Sequence, residues 1–324
     1  MKVLVIGWYS KNNLGDELFK EAFKHLFPSH KFEFTDVITA ETLRDVSAVF
    51  FGGGSFLYAQ PDITPEALSI MKTLPIFYVG IGIETDIHPL HQELMRQAKL
   101  VATRSPTLLQ KALDINANSI VIPDIVYSLQ SSISPTKFDK SILIIPNIEV
   151  VPQNFDPHWK YCAWAYFKSE FSQFLDHVAQ DHTVNFFSMC QNEKINDRWA
   201  AVELISSMKH RSSKYIINDP LNTDVKFITE MFSKYNVIIS QRYHGSVLAE
   251  MSGVPCITLS HHDKLNAFGG INLSYYNTSQ SSLMSALDKI QSQKTLLNNS
   301  ESFENLVSRI DIFLENNDNI HRGG

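Results

Sequence analysis

The sequence contains no apolar run near the roughly 20 residues that a membrane-spanning helix needs. Its start, MKVLVIG, enters a strand-like run at once. It offers neither the longer apolar stretch nor the small-residue cleavage site of a secretory leader. Cysteine is scarce: Cys162, Cys190 and Cys256 stand far apart and form no CxxC pair. That gives no zinc framework and fits a reducing compartment. Positive charge is not in excess either, and a formal net charge of −6 argues against a nucleic-acid-binding surface. The GxGxxG dinucleotide fingerprint is also missing, because Gly7 and Gly15 lie too far apart after the first strand. Together these absences point to a cytoplasmic protein with no transmembrane segment, no nucleic-acid partner and no metal.

What is present is an ordinary globular balance, 44% hydrophobic and 19% charged, over 324 residues. That length exceeds what one hydrophobic core usually supports, so two domains are expected. Strand-like apolar runs at Lys2–Gly7, Phe32–Val37, Val46–Phe51, Pro75–Val79, Leu100–Thr103 and Ile120–Ile122 alternate with loops and helical patterns. This alternation predicts a parallel α/β domain over residues 1–130. The polar stretch 128–140 suits a linker. A second alternation follows over 141–324, with strands at Ile142–Ile145, Val184–Met189 and Tyr215–Ile217 and helices near 163–180, 195–209 and 223–234. The expected architecture is therefore two doubly wound α/β domains facing a cleft, with the last helices free to pack back on the first domain.

Glycines gather where strands end. Gly52-Gly53-Gly54-Ser55 follows one buried run, and Gly80-Ile81-Gly82-Ile83-Glu84 follows another. Such glycines permit positive φ in a tight turn, and their N–H groups can also form an anion nest. Arg104 follows a third strand. The most informative stretch is Asn236–Lys264. It reads as a strand (Val237-Ile238-Ile239), a polar turn, a helix ending at Gly253, and a strand at Cys256-Ile257-Thr258-Leu259. Arg242 and His244 fall where that first strand stops and the helix begins. Ligands of open parallel sheets bind beyond the carboxyl ends of the strands. A helix N-terminus there favours anions, a guanidinium suits carboxylate or phosphate, and a histidine can move a proton near neutral pH. The blander alternative is that Arg242 pairs with a structural carboxylate and His244 caps the helix. His88 and His91 share a helix face and read as solvated surface rather than a metal site. Trp159, Tyr161, Trp164, Tyr166 and Phe167 cluster, either as core or in part as a sugar-stacking face.

Gly7-Trp8-Tyr9 with Asn13-Leu14-Gly15-Asp16-Glu17, the Gly52-Gly53-Gly54-Ser55 loop, Gly80-Ile81-Gly82, Arg104-Ser105, Ser240-Gln241-Arg242-Tyr243-His244, Gly253-Val254-Pro255 and Asp263-Lys264 occur in this order across nearly the whole chain. Taken together they resemble the polysaccharide pyruvyl transferases. The resemblance implies Rossmann-like domains in a GT-B-like fold. It also implies transfer of pyruvate from phosphoenolpyruvate to a sugar of a glycan or glycan precursor, often as a ketal, with the donor near Arg242 and His244. One departure stands out: Ser10 follows Trp8-Tyr9 where glycine is usual.

The residues suit that chemistry. Phosphoenolpyruvate carries a phosphate and a carboxylate, for which Arg242 and Arg104 are reasonable partners. Gly245 and Lys264 join them on the donor side, and His244 is the candidate general acid. Asn13, Gly15, Asp16, Gly53, Gly54, Ser55 and Glu84 are assigned to the acceptor side or its loops. For a base, Asp16, Glu84 and Glu250 stay open. The scheme uses no cofactor and no metal. Its partners are phosphoenolpyruvate and a saccharide, and a lipid-linked acceptor would bring peripheral membrane contact. Two rivals share the architecture: a GT-B-type glycosyltransferase using a nucleotide sugar, and a glycan- or phosphate-binding protein without turnover.

Overall fold

A computed structural model describes residues 1–322 apart from 55, 83–85, 107–108, 132–139, 149–155, 194, 210–214, 218–221, 261–269, 275–277 and 291–299. Ser55, Glu84, Lys264 and most of the expected linker therefore lie outside the described residues. The chain forms two compact units. The first comprises Met1–Ser10, Asp16–Leu129 and Asn298–Gly324; the second comprises Lys11–Gly15 and Gln130–Leu297. Neither unit is one continuous stretch of sequence.

The first unit contains strands β1 (Lys2–Ile6), β2 (Lys31–Thr35), β3 (Val37–Ile38), β4 (Ala48–Gly52), β5 (Asp62–Ile63), β6 (Ile76–Ile81), β7 (Leu100–Thr103) and β8 (Ser119–Val121). Its helices are α1 (Leu14–Leu26), α2 (Pro65–Met71), α3 (Pro89–Gln97) and α4 (Leu109–Ile115). The first two residues of α1 count with the second unit. Six strands form a parallel sheet in the order β2-β1-β4-β6-β7-β8, and β3 pairs with β5 in a small separate ladder. β4 and β6 are buried at every position, as strands of a parallel sheet covered on both faces must be. Aromatic rings fill both sides. Phe50 meets Phe77 edge-on at 5.1 Å, and Phe51 stacks on Tyr78 at 4.6 Å. The C-terminal helix Ser300–Arg322 belongs to this unit and sets Phe313 against Phe77.

The second unit holds β9 (Ser141–Ile145), β10 (Thr183–Phe187), β11 (Tyr215–Ile217), β12 (Val237–Ser240), β13 (Cys256–Ser260) and β14 (Ile271–Ser274). The helices are α5 (Pro157–Val178), α6 (Asp197–Ser207), α7 (Val225–Phe232), α8 (Tyr243–Met251) and α9 (Gln280–Ile290). Its parallel sheet runs β11-β10-β9-β12-β13-β14, the strand order of a Rossmann dinucleotide-binding fold. Sequence order reverses between β9 and β12. Ile142, Ile144, Val184, Phe186, Val237 and Ile239 meet α5, α6 and α9 side chains in one core.

Several local expectations are corrected. The helix expected near 163–180 starts earlier, at Pro157: Asp156 caps it by accepting from the His158 N–H, and Pro157 occupies its first position. The aromatic cluster on α5 splits, because Trp164 and Phe167 are buried while Trp159, Tyr161 and Tyr166 are exposed. β14 is short and half polar and gave no periodic signal. The end of α8 agrees with expectation and shows its mechanism. Gly253 takes φ +64°, its N–H reaches Glu250 O, and the Val254 N–H reaches Ala249 O, closing a Schellman motif.

His91 is the clearest reversal. It is 1% exposed instead of solvated, and its Nδ1 lies 3.2 Å from the Tyr78 hydroxyl. His88 instead caps α3 by accepting from the Leu90 N–H. Burial, helped by neighbouring His88, lowers the pKa of His91 from 6.5 to about 4. The neutral ring is therefore the native form, and the unfolded chain takes up a proton first as pH falls. Its contribution is complete above pH 6.5 and is lost progressively down to about pH 4. Denaturant unfolding of wild type and His91→Gln should show a stability gap that narrows across this window. A gap independent of pH would mean that His91 does not titrate with folding.

Candidate active site

The reversal of strand order between β9 and β12 opens the sheet edge of the second unit at that point. Beyond the two strand ends the backbone is tied tightly. The Gln241 N–H donates to Ile145 O at 2.9 Å, and the Asn147 N–H donates to Gln241 Oε1 at 3.0 Å. Ser240 Oγ accepts from the Arg242 N–H and donates to Arg242 O, which turns the chain from strand into helix. Arg242 is then the N-cap residue of α8 and makes no side-chain cap bond. His244 lies in the first turn. Gly245 lets that turn approach the sheet, since a Cβ there would sit 2.3 Å from Ser240 Oγ.

Arg242 has a carboxylate partner 45 residues away in sequence. Its Nε lies 3.0 and 3.1 Å from the two oxygens of Asp197, and its Nη2 bonds Asp197 Oδ1 as well. Asp197, the first residue of α6, is fully buried. Its Oδ2 also accepts the N–H groups of Met189 (3.2 Å) and Cys190 (2.9 Å), just past the end of β10. Burial pushes the carboxyl up from the usual range, while Arg242 and the two N–H groups pull the other way. A guanidinium has five N–H donors, and this pair engages its Nε and Nη2 edge, which fixes the orientation of the group.

The segment Lys11–Gly15 completes this edge. The Leu14 N–H donates to Met189 O at 2.8 Å and the Gln191 N–H to Asn12 O at 2.9 Å. Asn13 forms an antiparallel bridge with Cys190, and its Oδ1 accepts the Gly15 N–H at 3.2 Å. Gly15 lies flat against His244. A Cβ on residue 15 would fall 2.1 Å from His244 Nδ1, closer than any real contact. His244 is 9% exposed.

In the first unit the order reverses between β1 and β4. The Tyr9 hydroxyl donates to Gly52 O at 2.5 Å, and a Cβ on Gly7 would fall 2.4 Å from that same oxygen. Gly53 and Gly54 take φ of +83° and +79°, so the turn explanation for these glycines holds. Asp16 is buried beside them, its Oδ1 3.3 Å from where a Cβ on Gly54 would be. Burial, with Asp16 and Glu17 nearby, raises the Tyr9 pKa well above its ordinary value and keeps the phenol protonated. Arg104 follows β7 and pairs with buried Asp124 through Nη1 at 2.6 Å, its guanidinium lying over the Phe19 ring.

The structure thus gathers Arg242, His244, Gly245, Asn13 and Gly15 in the second unit, and Asp16, Gly53, Gly54 and Arg104 in the first. Gly15, assigned with Asp16 to the acceptor side or its loops, packs against the His244 ring. Glu250 lies in the last turn of α8, just before the loop at Gly253 and about 9 Å along the axis from His244. Among the described residues no group of three or more His, Cys, Asp or Glu is placed to hold a metal ion. Asp197 was not anticipated. Asn196-Asp197 reads only as a helix start, and nothing in the sequence links it to Arg242.

The glycine loop yields a direct test. Gly53→Val forces a β-branched residue to φ +83° with its Cβ 2.9 Å from the Phe19 ring. It should cost about 2 kcal/mol of stability or more. Ser10 already occupies φ +59°, where glycine is at ease, so Ser10→Gly should cost nothing. Equal unfolding midpoints for wild type and Gly53→Val would refute this account of the loop.

Comparison with known proteins agrees with the fold and the motifs. The Staphylococcus aureus protein MnaA, solved with UDP, superposes with a TM-score of 0.60 at 12% identity over 97% of each chain. The UDP-GlcNAc 2-epimerase of Methanocaldococcus jannaschii, solved with UDP-GlcNAc and UDP, gives 0.59 at 11% identity over 96% of this chain and 100% of that one. The Neisseria meningitidis UDP-GlcNAc 2-epimerase gives 0.52 at 13% over 97% and 99%. At such identities these likenesses establish the fold, two GT-B-like Rossmann units. No curated protein matches the sequence. The sequence model of the polysaccharide pyruvyl transferases matches residues 13–263, from the loop that seats His244 to the segment after β13, and the chain belongs to that family.

Proposed function

We propose that the protein transfers pyruvate from phosphoenolpyruvate to a sugar of a glycan or glycan precursor and closes it as a ketal across two hydroxyls. One observation carries this reading: Arg242 at the N-cap of α8 and His244 in its first turn sit together at the strand-order reversal. A helix N-terminus, a guanidinium and an imidazole suit a small dianionic donor that must be protonated. In this scheme Arg242 binds the donor with Arg104 and Lys264, and His244 protonates the methylene carbon. The resulting oxocarbenium-like centre takes a sugar hydroxyl. Phosphate then leaves, and attack by a second hydroxyl closes the ketal. Each hydroxyl gives up its proton, for which Asp16 and Glu84 are the proposed carboxylates. Asn13, Gly53, Gly54 and Ser55 belong to loops around the acceptor. The scheme needs no cofactor. We place the reaction in the cytoplasm, with peripheral membrane contact where the acceptor is lipid-linked. Among the described residues no helix is long and apolar enough to cross a membrane.

A second reading draws on the solved neighbours that hold UDP or UDP-GlcNAc: a GT-B-type glycosyltransferase with a nucleotide-sugar donor. Ligand stabilisation separates the two, because selective binding to the native state raises its melting temperature by mass action. Phosphoenolpyruvate should stabilise the protein, and UDP-GlcNAc and UDP-glucose should not. The opposite pattern would overturn the pyruvyl assignment. Stabilisation by phosphoenolpyruvate, with no phosphate released from it in the presence of any glycan precursor, would instead indicate a binding protein.

The role of His244 is tested separately. His244→Ala should lower single-turnover rate by roughly 10²–10⁴-fold, the usual scale of general acid catalysis. Donor affinity should fall much less. His244→Gln should remain slow, because an amide cannot deliver the proton. A large affinity loss with the chemical step intact would make His244 a binding residue.

A further inference from the structure

We infer that Asp197 is a positioning residue that sets both Arg242 and His244, the second of them through the segment Asn12–Gly15. The inference rests on the reading of Arg242 as donor clamp and His244 as proton donor, and it assigns the support for both to one buried carboxylate.

Its geometry has two arms. In the first, both Asp197 oxygens meet the Nε and Nη2 edge of Arg242, which fixes the plane of the guanidinium. In the second, Asp197 Oδ2 accepts the N–H groups of Met189 and Cys190 and holds the chain beyond β10 in a defined path. That path carries the N-terminal segment. Met189 O accepts the Leu14 N–H, the Gln191 N–H donates to Asn12 O, and Asn13 bridges Cys190. The next residue, Gly15, forms a wall beside the His244 ring. The wall leaves no room for a methyl group, so the Gly15 backbone packs directly against the imidazole. A catalytic acid needs such support, because small misplacements of a proton donor are expensive. Asp197 itself is fully buried and is too enclosed to meet a substrate.

Two substitutions separate the arms. In Asp197→Asn the amide oxygen can still accept from Met189 and Cys190, while the amide N–H groups face Arg242 and break the charge pairing. In Gly15→Ala the Arg242 pairing is untouched and the added methyl displaces the His244 ring. With phosphoenolpyruvate and a glycan precursor, Asp197→Asn should raise the donor KM and lower kcat. Gly15→Ala should lower kcat by roughly 10²-fold, the scale of a 1 Å misplacement, with donor KM little changed. Asp197→Glu should restore part of the loss seen in Asp197→Asn.

A readout independent of turnover keeps the two readings apart. The chain has 12 histidines, and the ring signals of His244 in a proton–nitrogen NMR spectrum are identified by their loss in His244→Gln. Gly15→Ala and Asp197→Ala, which removes both arms, should each shift those signals and leave most others in place. His244 signals unchanged in Asp197→Ala would overturn the inference. Signals that shift while turnover stays at the wild-type rate would leave the positioning intact and reject His244 as the acid. If Asp197→Ala does not fold, Asp197→Glu, whose longer side chain displaces the Met189 and Cys190 bonds, gives the same spectral test.

Discussion

The carboxylate of Asp197 is buried without solvent, and a buried charge is tolerated only where other groups meet it. Here a guanidinium and two backbone N–H groups do so. Those groups come from different places: the turn between β12 and α8, and the chain past β10. In the sheet, β9 lies between these two strands. One ion pair therefore spans the reversal of strand order and fixes the loops on either side of it. Removing one member of such a pair strands the other and typically costs about 3–5 kcal/mol. The pairing is a constraint on the whole edge, and Arg242 can neither move nor be replaced without consequence for Met189, Cys190 and the segment that rests on them.

The first unit uses the same device. Arg104 leaves β7 and meets Asp124 just beyond β8, the neighbouring strand, and Asp124 Oδ1 also accepts the Val126 N–H. In both units an arginine at a strand end is neutralised by an aspartate that itself holds backbone. The earlier alternative, an arginine with a structural carboxylate, thus describes part of what Arg242 does. Orientation by a carboxylate and recognition of an anion are compatible in a side chain with five donors.

Much of this was legible in the sequence because parallel sheets write themselves plainly. Val237–Ile239, Ile142–Ile145 and Phe50–Phe51 are unbroken apolar runs, since both faces of their sheets are buried. The strand–turn–helix at Arg242 and the stop at Gly253 followed from local chemistry alone. What stayed hidden was long-range. Asp197 looks like any helix-starting aspartate until the fold brings it to Arg242. His91 looks polar until Tyr78, Phe51 and Phe56 surround it. Gly15 was grouped with Asp16 because they are adjacent in sequence, although their contacts lie in different units. Ser10 departs from the glycine usual in the family, and its φ of +59° lies in the left-handed region that favours glycine.

The two sheets differ in how far along the chain their reversal points reach. In the first unit, β1 is joined by β4, and all the pairing partners lie within the first 52 residues. In the second, β9 is joined by β12 only after almost a hundred residues have intervened. During synthesis the first edge has all its strands early, and domains generally begin to fold from the N-terminal side. The segment Asn12–Leu14 is made among the earliest residues, yet its hydrogen-bonding partners, Met189 and Gln191, are made among the later ones. A ribosome-bound chain shorter than these residues therefore carries the glycine that walls His244 with nothing to rest it on. Loop closure over such a distance is slow compared with local pairing. The order of assembly is thus set by topology, and the contact of Gly15 with His244 forms only after three quarters of the chain has been made.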